Sequence, residues 1–376
     1  MVAAMRSGFV PRKDRMDLTA IAEHDAEADA AFEVVYADTL RFFPKLAADL
    51  GGDPDALLRH VGIDPSIFSK RESSLGYRAI ANLLEHAAAE LQRPDFGMRL
   101  ATLQGGGKVF GPMGVVMRNS NTLGEALDYV VKHSHAYSLA ARMRFEPDRA
   151  NHKLLVGFEV LLDRLPSKRQ AIEQALLLAN LNVIEITGGQ ARVREVLFRH
   201  QPLSSLRTYR DYFGCEVRFD QKADGIVFTE QDLLCRIVDP DVQLYEMATS
   251  FIDTKFTRIT PPVHALVRGL ILQYLGSEEC TNERIAAELC LHPRTLHRRL
   301  KAEGKSFEAI KDEVRRDAAL RHLQETDMSV TRIAEKLGYA ETSVLSRSCF
   351  RWFGASPRQL RSRAGRSGHH QRRAIG

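Results

Sequence analysis

Between residues 75 and 92 the apolar positions are Ile80, Leu83, Leu84, Ala87, Ala88 and Leu91. Steps of three and four predict one buried helical face, which Pro94 ends. From Thr122 the pattern returns at Leu123, Ala126, Leu127, Val130 and Val131, and the spacing of Thr122 and Glu125 predicts a capping box. The period then changes. Residues 141–145 and 153–162 read as strands joined by a turn at Pro147 and Asp148. Residues 167–186 predict a long helix closed by Gly188 and Gly189. Short strands are expected at 194–198, 216–219 and 226–228. Helices are expected at 242–255 and 263–275, on either side of the break at Thr260, Pro261 and Pro262. This mixture predicts an α+β domain over residues 31–260.

The last hundred residues carry one pattern twice. Ile285, Ala286, Leu289, Leu296, Arg298 and Leu300 form the first copy; Ile333, Ala334, Leu337, Leu345, Arg347 and Cys349 form the second. The early positions are offset by 48 and the later ones by 49, so one residue was gained in the turn. Each copy reads as a scaffold helix, a turn and a second helix. Asn282 and Ser329 are the expected caps of the scaffold helices, Pro293 suits a first helical position, and Gly338 allows a tight turn. Leu296 and Leu300 must face a core, which leaves Arg294, His297, Arg298 and Lys301 outward. In the second copy Val344, Leu345 and Cys349 face inward, leaving Thr342, Ser343, Ser346 and Arg347 outward, with Arg351 further on. Residues 306–324 predict a helix of about 28 Å joining the copies, close to the ~34 Å of one DNA turn. An all-α domain of two helix-turn-helix subdomains joined by a linker helix is expected over residues 261–365.

Charge sharpens this picture. The whole chain carries +5, but residues 281–376 hold 20 Lys and Arg against 11 Asp and Glu, a net +9 that leaves −4 elsewhere. A basic unit on a mildly acidic body suits a polyanion partner for that unit alone. Arg can bond both major-groove acceptors of guanine, and Ser or Thr can bond base edges or phosphates. Lys301 and Arg351 are the expected phosphate contacts. No apolar run reaches the roughly 20 residues of a membrane helix. No secretory signal is read in the first 30 residues, and tails are expected at residues 1–30 and 366–376. The five cysteines, an odd number without a Cys-x-x-Cys pair, fit buried thiols in a reducing cytoplasm.

The segments ERIAAELCLHPRTLHRRLKAEG, SFEAIKDEVRRDAALRHL and SVTRIAEKLGYAETSVLSRSCFRWFGASPRQLR resemble the AraC family of bacterial transcription regulators. Upstream, RPDFGMRLA, GPMGVVMRNSNTLGEALDYVVKHSHAYS and YFGCEVRFDQKADGIVF are similar to the arabinose-binding-type sensor domain of one branch of that family. The resemblance spans about residues 35–363. Many members carry an aromatic residue where Cys349 stands and a basic one where Phe350 stands. The resemblance implies a one-component regulator, an activator by expectation. Its sensor domain would bind a small-molecule effector and pair as a homodimer, and its C-terminal domain would bind double-stranded promoter DNA near RNA polymerase.

Other signals carry less. Gly105, Gly106, Gly107 and Lys108 lack the Ser or Thr of a phosphate loop. His133 and His135 would point apart on a helix, so no metal and no cofactor is expected. Arg118, His133, Tyr137, Arg142 and Arg144 lie around the helix-to-strand crossover and are the candidate effector contacts; an Arg-rich pocket there would suit an anion. An enzyme or alkyl-acceptor domain fused to the DNA-binding unit would need an activated Cys215 or Cys235. An adaptor that binds DNA weakly would lack steep salt dependence.

Overall fold

The computed structural model describes residues 34–69, 74–148, 151–162, 165, 167–256, 261–326 and 328–362. The tails expected at 1–30 and 366–376 lie outside these residues, as does the stretch 257–260 that ends at the expected break.

Strand β1 (Val34–Tyr36) leads into α1 (Phe43–Asp49) and α2 (Pro54–His60), and β2 (Ser74–Gly76) returns antiparallel to β1. Four helices follow: α3 (Tyr77–Glu90), α4 (Phe96–Gln104), α5 (Pro112–Asn119) and α6 (Leu123–Lys132). The hairpin β3 (Ala141–Asp148) and β4 (Lys153–Val160) precedes the long α7 (Arg169–Ile186). Then come β5 (Glu195–Leu197), α8 (Leu206–Phe213), β6 (Glu216–Arg218), β7 (Asp224–Thr229), α9 (Glu230–Leu233) and α10 (Val242–Phe256). The larger sheet has the order β3-β4-β7-β5-β6 and is antiparallel except for β5 with β6. With the helical unit that follows, the architecture is the α+β domain plus all-α domain expected from sequence.

Helix α7 is the spine of the first domain. It buries Ile172, Leu176, Leu177, Val183 and Ile186, and α4 runs close against it. The close approach needs Gly97, because a Cβ there would run into the Gln170 carbonyl oxygen. The Gly97 N–H instead donates to Gln170 Oε1 at 2.7 Å. One turn on, Gln174 Nε2 donates to the Thr39 carbonyl and to Gln104 Oε1, both at 2.9 Å. Satisfied buried amides of this kind pin the segment after β1 to the spine.

Three local readings change. Residues 147 and 148 remain in β3, paired with Leu154 and Lys153, so the hairpin turns beyond them. The capping box at α6 is half formed: Thr122 Oγ1 accepts from Glu125 N at 3.2 Å, but the Glu125 carboxylate turns back to Asn121 rather than to the Thr122 N–H. Thr281 rather than Asn282 caps the first scaffold helix, its hydroxyl accepting from Arg284 N at 3.2 Å. A cap must be extended and two or three residues ahead of the N–H it satisfies, and Thr281 meets both conditions.

The second domain runs α11 (Val263–Tyr274), α12 (Asn282–Glu288), α13 (Pro293–Ala302), α14 (Phe307–Glu325), α15 (Val330–Lys336) and α16 (Thr342–Phe353). It has two cores. The first gathers Val267, Ile271, Ile285, Leu296, Leu300, Ile310 and Val314; the second gathers Ala318, Leu323, Ile333, Leu337, Leu345 and Cys349. Helix α14 contributes to both.

The turns of the two copies match bond for bond. Leu289 N, Cys290 N and Leu291 N donate to the carbonyls of Ile285, Ala287 and Ala286; Leu337 N, Gly338 N and Tyr339 N donate to those of Ile333, Glu335 and Ala334. The central residue of each is left-handed, with φ of 53° at Cys290 and 70° at Gly338. Only one copy has glycine where the backbone wants it. Gly338→Ala should therefore destabilise the chain by about 1 kcal/mol, and Cys290→Gly should stabilise it by a similar amount. Urea denaturation of both variants checks this; shifts of the same sign would refute the equivalence.

Glu173, on the buried side of α7, accepts the Tyr209 hydroxyl at 2.5 Å, and its second oxygen has no hydrogen-bond partner. Burial pushes its carboxyl from 4.5 up to about 8, against the pull of the Tyr209 hydrogen bond. A folded-state value above the unfolded one gives stability that is complete below about pH 4.5 and is lost as pH rises through about 8. Glu173→Gln should thus gain stability relative to the parent as pH is raised across that window. Parallel melting curves at pH 5 and pH 8.5 measure it; a constant difference would contradict the assignment.

Candidate nucleic-acid interface

The first reading helix, α13, starts at Pro293 behind His292, whose Nδ1 accepts from Arg294 N at 3.2 Å. Leu296 and Leu300 are buried. At 100° per residue, Arg294, His297, Arg298 and Lys301 fall within an arc of about 100° on the other side. All four are exposed, and among the described residues none has a side-chain hydrogen bond or ion pair. Arg299 is also exposed, but it sits off that arc beside the core, which the pattern alone did not distinguish.

In the second copy Ser329 caps α15, accepting from Arg332 N at 3.2 Å. Helix α16 starts after Glu341, whose carboxylate accepts from the Ser343 hydroxyl at 2.8 Å. Leu345 and Cys349 are buried, as expected, whereas Val344 is only partly covered. Ser343 and Arg347 are exposed, and Thr342 and Ser346 are half-buried at the edge of the same face. Phe350 stands among them, 61% exposed, and an apolar ring on this face is suited to a thymine methyl rather than a phosphate. Arg351 is exposed but already pairs with Asp312 of α14, which also accepts Trp352 Nε1–H at 2.8 Å. Arg351 thus ties α16 to the linker helix, and a phosphate would have to compete with Asp312 for it.

Arg315, also on α14, was not singled out from sequence. Its guanidinium donates to the carbonyls of Leu337 and Gly338 and lies 4.5 Å from the Tyr339 ring centroid. It braces the second turn from the linker helix. No local pattern could have revealed a contact made between residues this far apart.

The five sensor candidates do not meet in one cavity. Arg118 pairs with Glu185, Arg142 with Glu159 at 2.8 Å and Arg144 with Glu146 at 2.5 Å. Each arginine already has a carboxylate. The His133 ring stacks on Tyr129 at 4.0 Å, and its Nδ1 lies 2.9 Å from the Tyr129 carbonyl. Tyr137 bonds Thr39 Oγ1 at 3.0 Å and lines a narrow apolar cavity with Met143 and Ile226. Arg142 and Arg144 alternate with Met143 along β3 and so occupy the opposite face of the sheet.

Burial pushes the Cys215 thiol up to about 11, the reverse of what an activated nucleophile needs. Gly106 and Gly107, the last two glycines before Lys108, lie close against Asn182 of α7. Among the described residues no three His, Cys, Asp or Glu side chains are grouped to hold a metal, and no helix is long and apolar enough to cross a membrane.

Residues 51–237 match the arabinose-binding domain of AraC transcription regulators, and residues 285–363 match a helix-turn-helix domain. The HTH-type transcriptional regulator VirS of Mycobacterium tuberculosis is 34% identical over 336 residues, covering 89% of this chain and 98% of VirS. The ornithine utilization regulator of Pseudomonas aeruginosa is 23% identical, covering 87% of this chain and 95% of its own length. Among solved structures, the transcriptional regulator CdpR of Pseudomonas aeruginosa aligns over 82% of this chain and 96% of CdpR, at 19% identity and a TM-score of 0.41. Two helices with outward cations, an α+β domain ahead of them and a 34% identical relative matched over 98% of its length lead to one assignment: the chain belongs to the AraC family of DNA-binding transcriptional regulators.

Proposed function

We propose that the chain is a one-component activator whose hold on promoter DNA is set by a small-molecule effector and which acts as a homodimer beside RNA polymerase. The observation that carries the DNA half is the set of exposed side chains on α13 and α16 that have no partner among the described residues: Arg294, His297, Arg298, Lys301 and Arg347. Arg298 and Arg347 recur in the duplication and are the proposed base readers; Arg294 and Lys301 are proposed to neutralise phosphates. His297, Thr342, Ser343 and Ser346 complete the two faces.

Binding to the chain's own upstream region should weaken steeply with salt, since several phosphates would be neutralised. Arg298→Ala and Arg347→Ala should each cost roughly 1–3 kcal/mol on that promoter and relax preference at one or two bases. A gel-shift series at graded salt measures both. Equal loss on random DNA would reduce these arginines to phosphate contacts, and a flat salt response would favour a protein-binding adaptor.

What supports pairing is an apolar stripe on α10. Leu244, Met247 and Phe251 follow helical spacing and are exposed, Met247 by 69%. Two copies can bury this stripe about a two-fold axis. Met247→Glu is expected to shift sedimentation equilibrium from dimer to monomer; an unchanged dimer would put the interface elsewhere.

A further inference from the structure

The two domains line a half-open cavity of about 370 Å³ between them. One wall is sensor, with Leu162 and Ile172; the other is the DNA-binding unit, with Leu272 and Leu320. Its charges do not balance. Six Lys and Arg residues line it, three from each unit, against the carboxylates Asp224 and Asp317.

The neutralisation of these cations is uneven. Arg169 reaches Glu85, Arg316 reaches Asp317, and Arg268 Nη2 reaches Asp317 at 2.6 Å. Arg268 is almost wholly buried; its Nη1 lies 3.9 Å from Glu313 Oε2, and its Nε has no hydrogen-bond partner among the described residues. The Arg199 guanidinium donates to the Leu272 carbonyl at 3.1 Å and has no carboxylate partner among the described residues, although the Arg199 backbone N–H donates to Asp224 Oδ1 at 2.8 Å. The half-buried Lys168 has neither hydrogen bond nor ion pair at its ammonium among the described residues. Burial brings its ammonium down to about 8, and the nearby Arg199 and Arg321 push the same way against Asp224 and Glu159. Burying a cation without a counter-charge costs free energy that an incoming anion would recover.

We propose that this interdomain cavity binds a small organic acid, its carboxylate held by Lys168 and Arg199, its apolar body lying against Leu162, Ile172, Leu272 and Leu320. The site names the chemical class and place of the effector, and so rests on the effector reading above. It also supplies the coupling. Both walls are needed to hold the acid, so the acid favours the arrangement in which the two domains are docked.

The full chain is titrated calorimetrically with 2-naphthoate, 4-phenylbutyrate and decanoate, with their primary amides and with inorganic phosphate. At least one acid should bind while its amide does not, and phosphate, which lacks the apolar body, should bind more weakly. Lys168→Met should weaken that acid by roughly ten-fold or more, from the loss of a charge-assisted hydrogen bond, while leaving the ligand-free melting temperature unchanged or higher. Arg199→Gln should weaken it independently. Acid and amide binding alike, no acid binding, or full affinity in Lys168→Met would each overturn the assignment. Gel shifts with the bound acid separate the two readings. Binding through Lys168 without any change in promoter affinity keeps the site and removes its role as effector site. A change in promoter affinity produced equally by the amide keeps effector control and removes this site.

Discussion

Helix α14 holds the reading apparatus together by belonging to two hydrophobic cores at once. Ile310 and Val314 sit in the core of the first helix-turn-helix, and Ala318, Ala319 and Leu323 in that of the second. No loop intervenes, so neither subdomain can turn about α14 without exposing part of its own core. The polar contacts run the same way. Asp312 holds Arg351 and the Trp352 N–H, and Arg315 holds two carbonyls of the second turn. With a length of about 28 Å set by its 19 residues, this helix presents two reading faces at a separation the chain cannot easily alter.

The sensor domain touches this rigid pair at more than one place. Arg199 reaches the Leu272 carbonyl on α11, and Lys336 at the end of α15 pairs with Asp220 at 2.9 Å. Between these, α11 comes so near β4 that a Cβ on Gly269 would lie 2.8 Å from Glu159 Oε2. The sensor therefore grips elements of both helix-turn-helix units. A change in its grip acts on the orientation of the pair as a body rather than on one reading helix, because α14 resists independent movement.

Which side chains α13 and α16 leave outward, on the face proposed to meet DNA, was largely legible in the sequence. The residues that recur, Leu296 with Leu300 and Leu345 with Cys349, mark the buried stripe, and helical geometry then dictates which neighbours point away. Capping chemistry located Ser329 and Pro293 but missed Thr281 by one residue, since Thr and Asn are both good caps and only the backbone angle separates them. Arg351 shows the other kind of miss. Its outward direction was clear, but its engagement with Asp312 depends on a helix 39 residues away in the chain. In the sensor domain the arginines near the crossover look unpaired in one dimension, but the fold supplies each with a carboxylate: helix α7 gives Glu185 to Arg118, and the β3–β4 hairpin gives Glu159 to Arg142 and Glu146 to Arg144.

The amino-acid order alone determined the class of each domain, the duplicated reading unit, the charge asymmetry and the faces of the amphipathic helices. These depend on near neighbours, and a helix repeats every 3.6 residues whatever surrounds it. Tertiary structure alone decided which cations have partners, which carboxyl is buried and where a cavity opens between the domains. Those are properties of distance in space: Lys168 and Arg268 come to line one cavity only after two domains have docked, and no pattern along the chain encodes that juxtaposition.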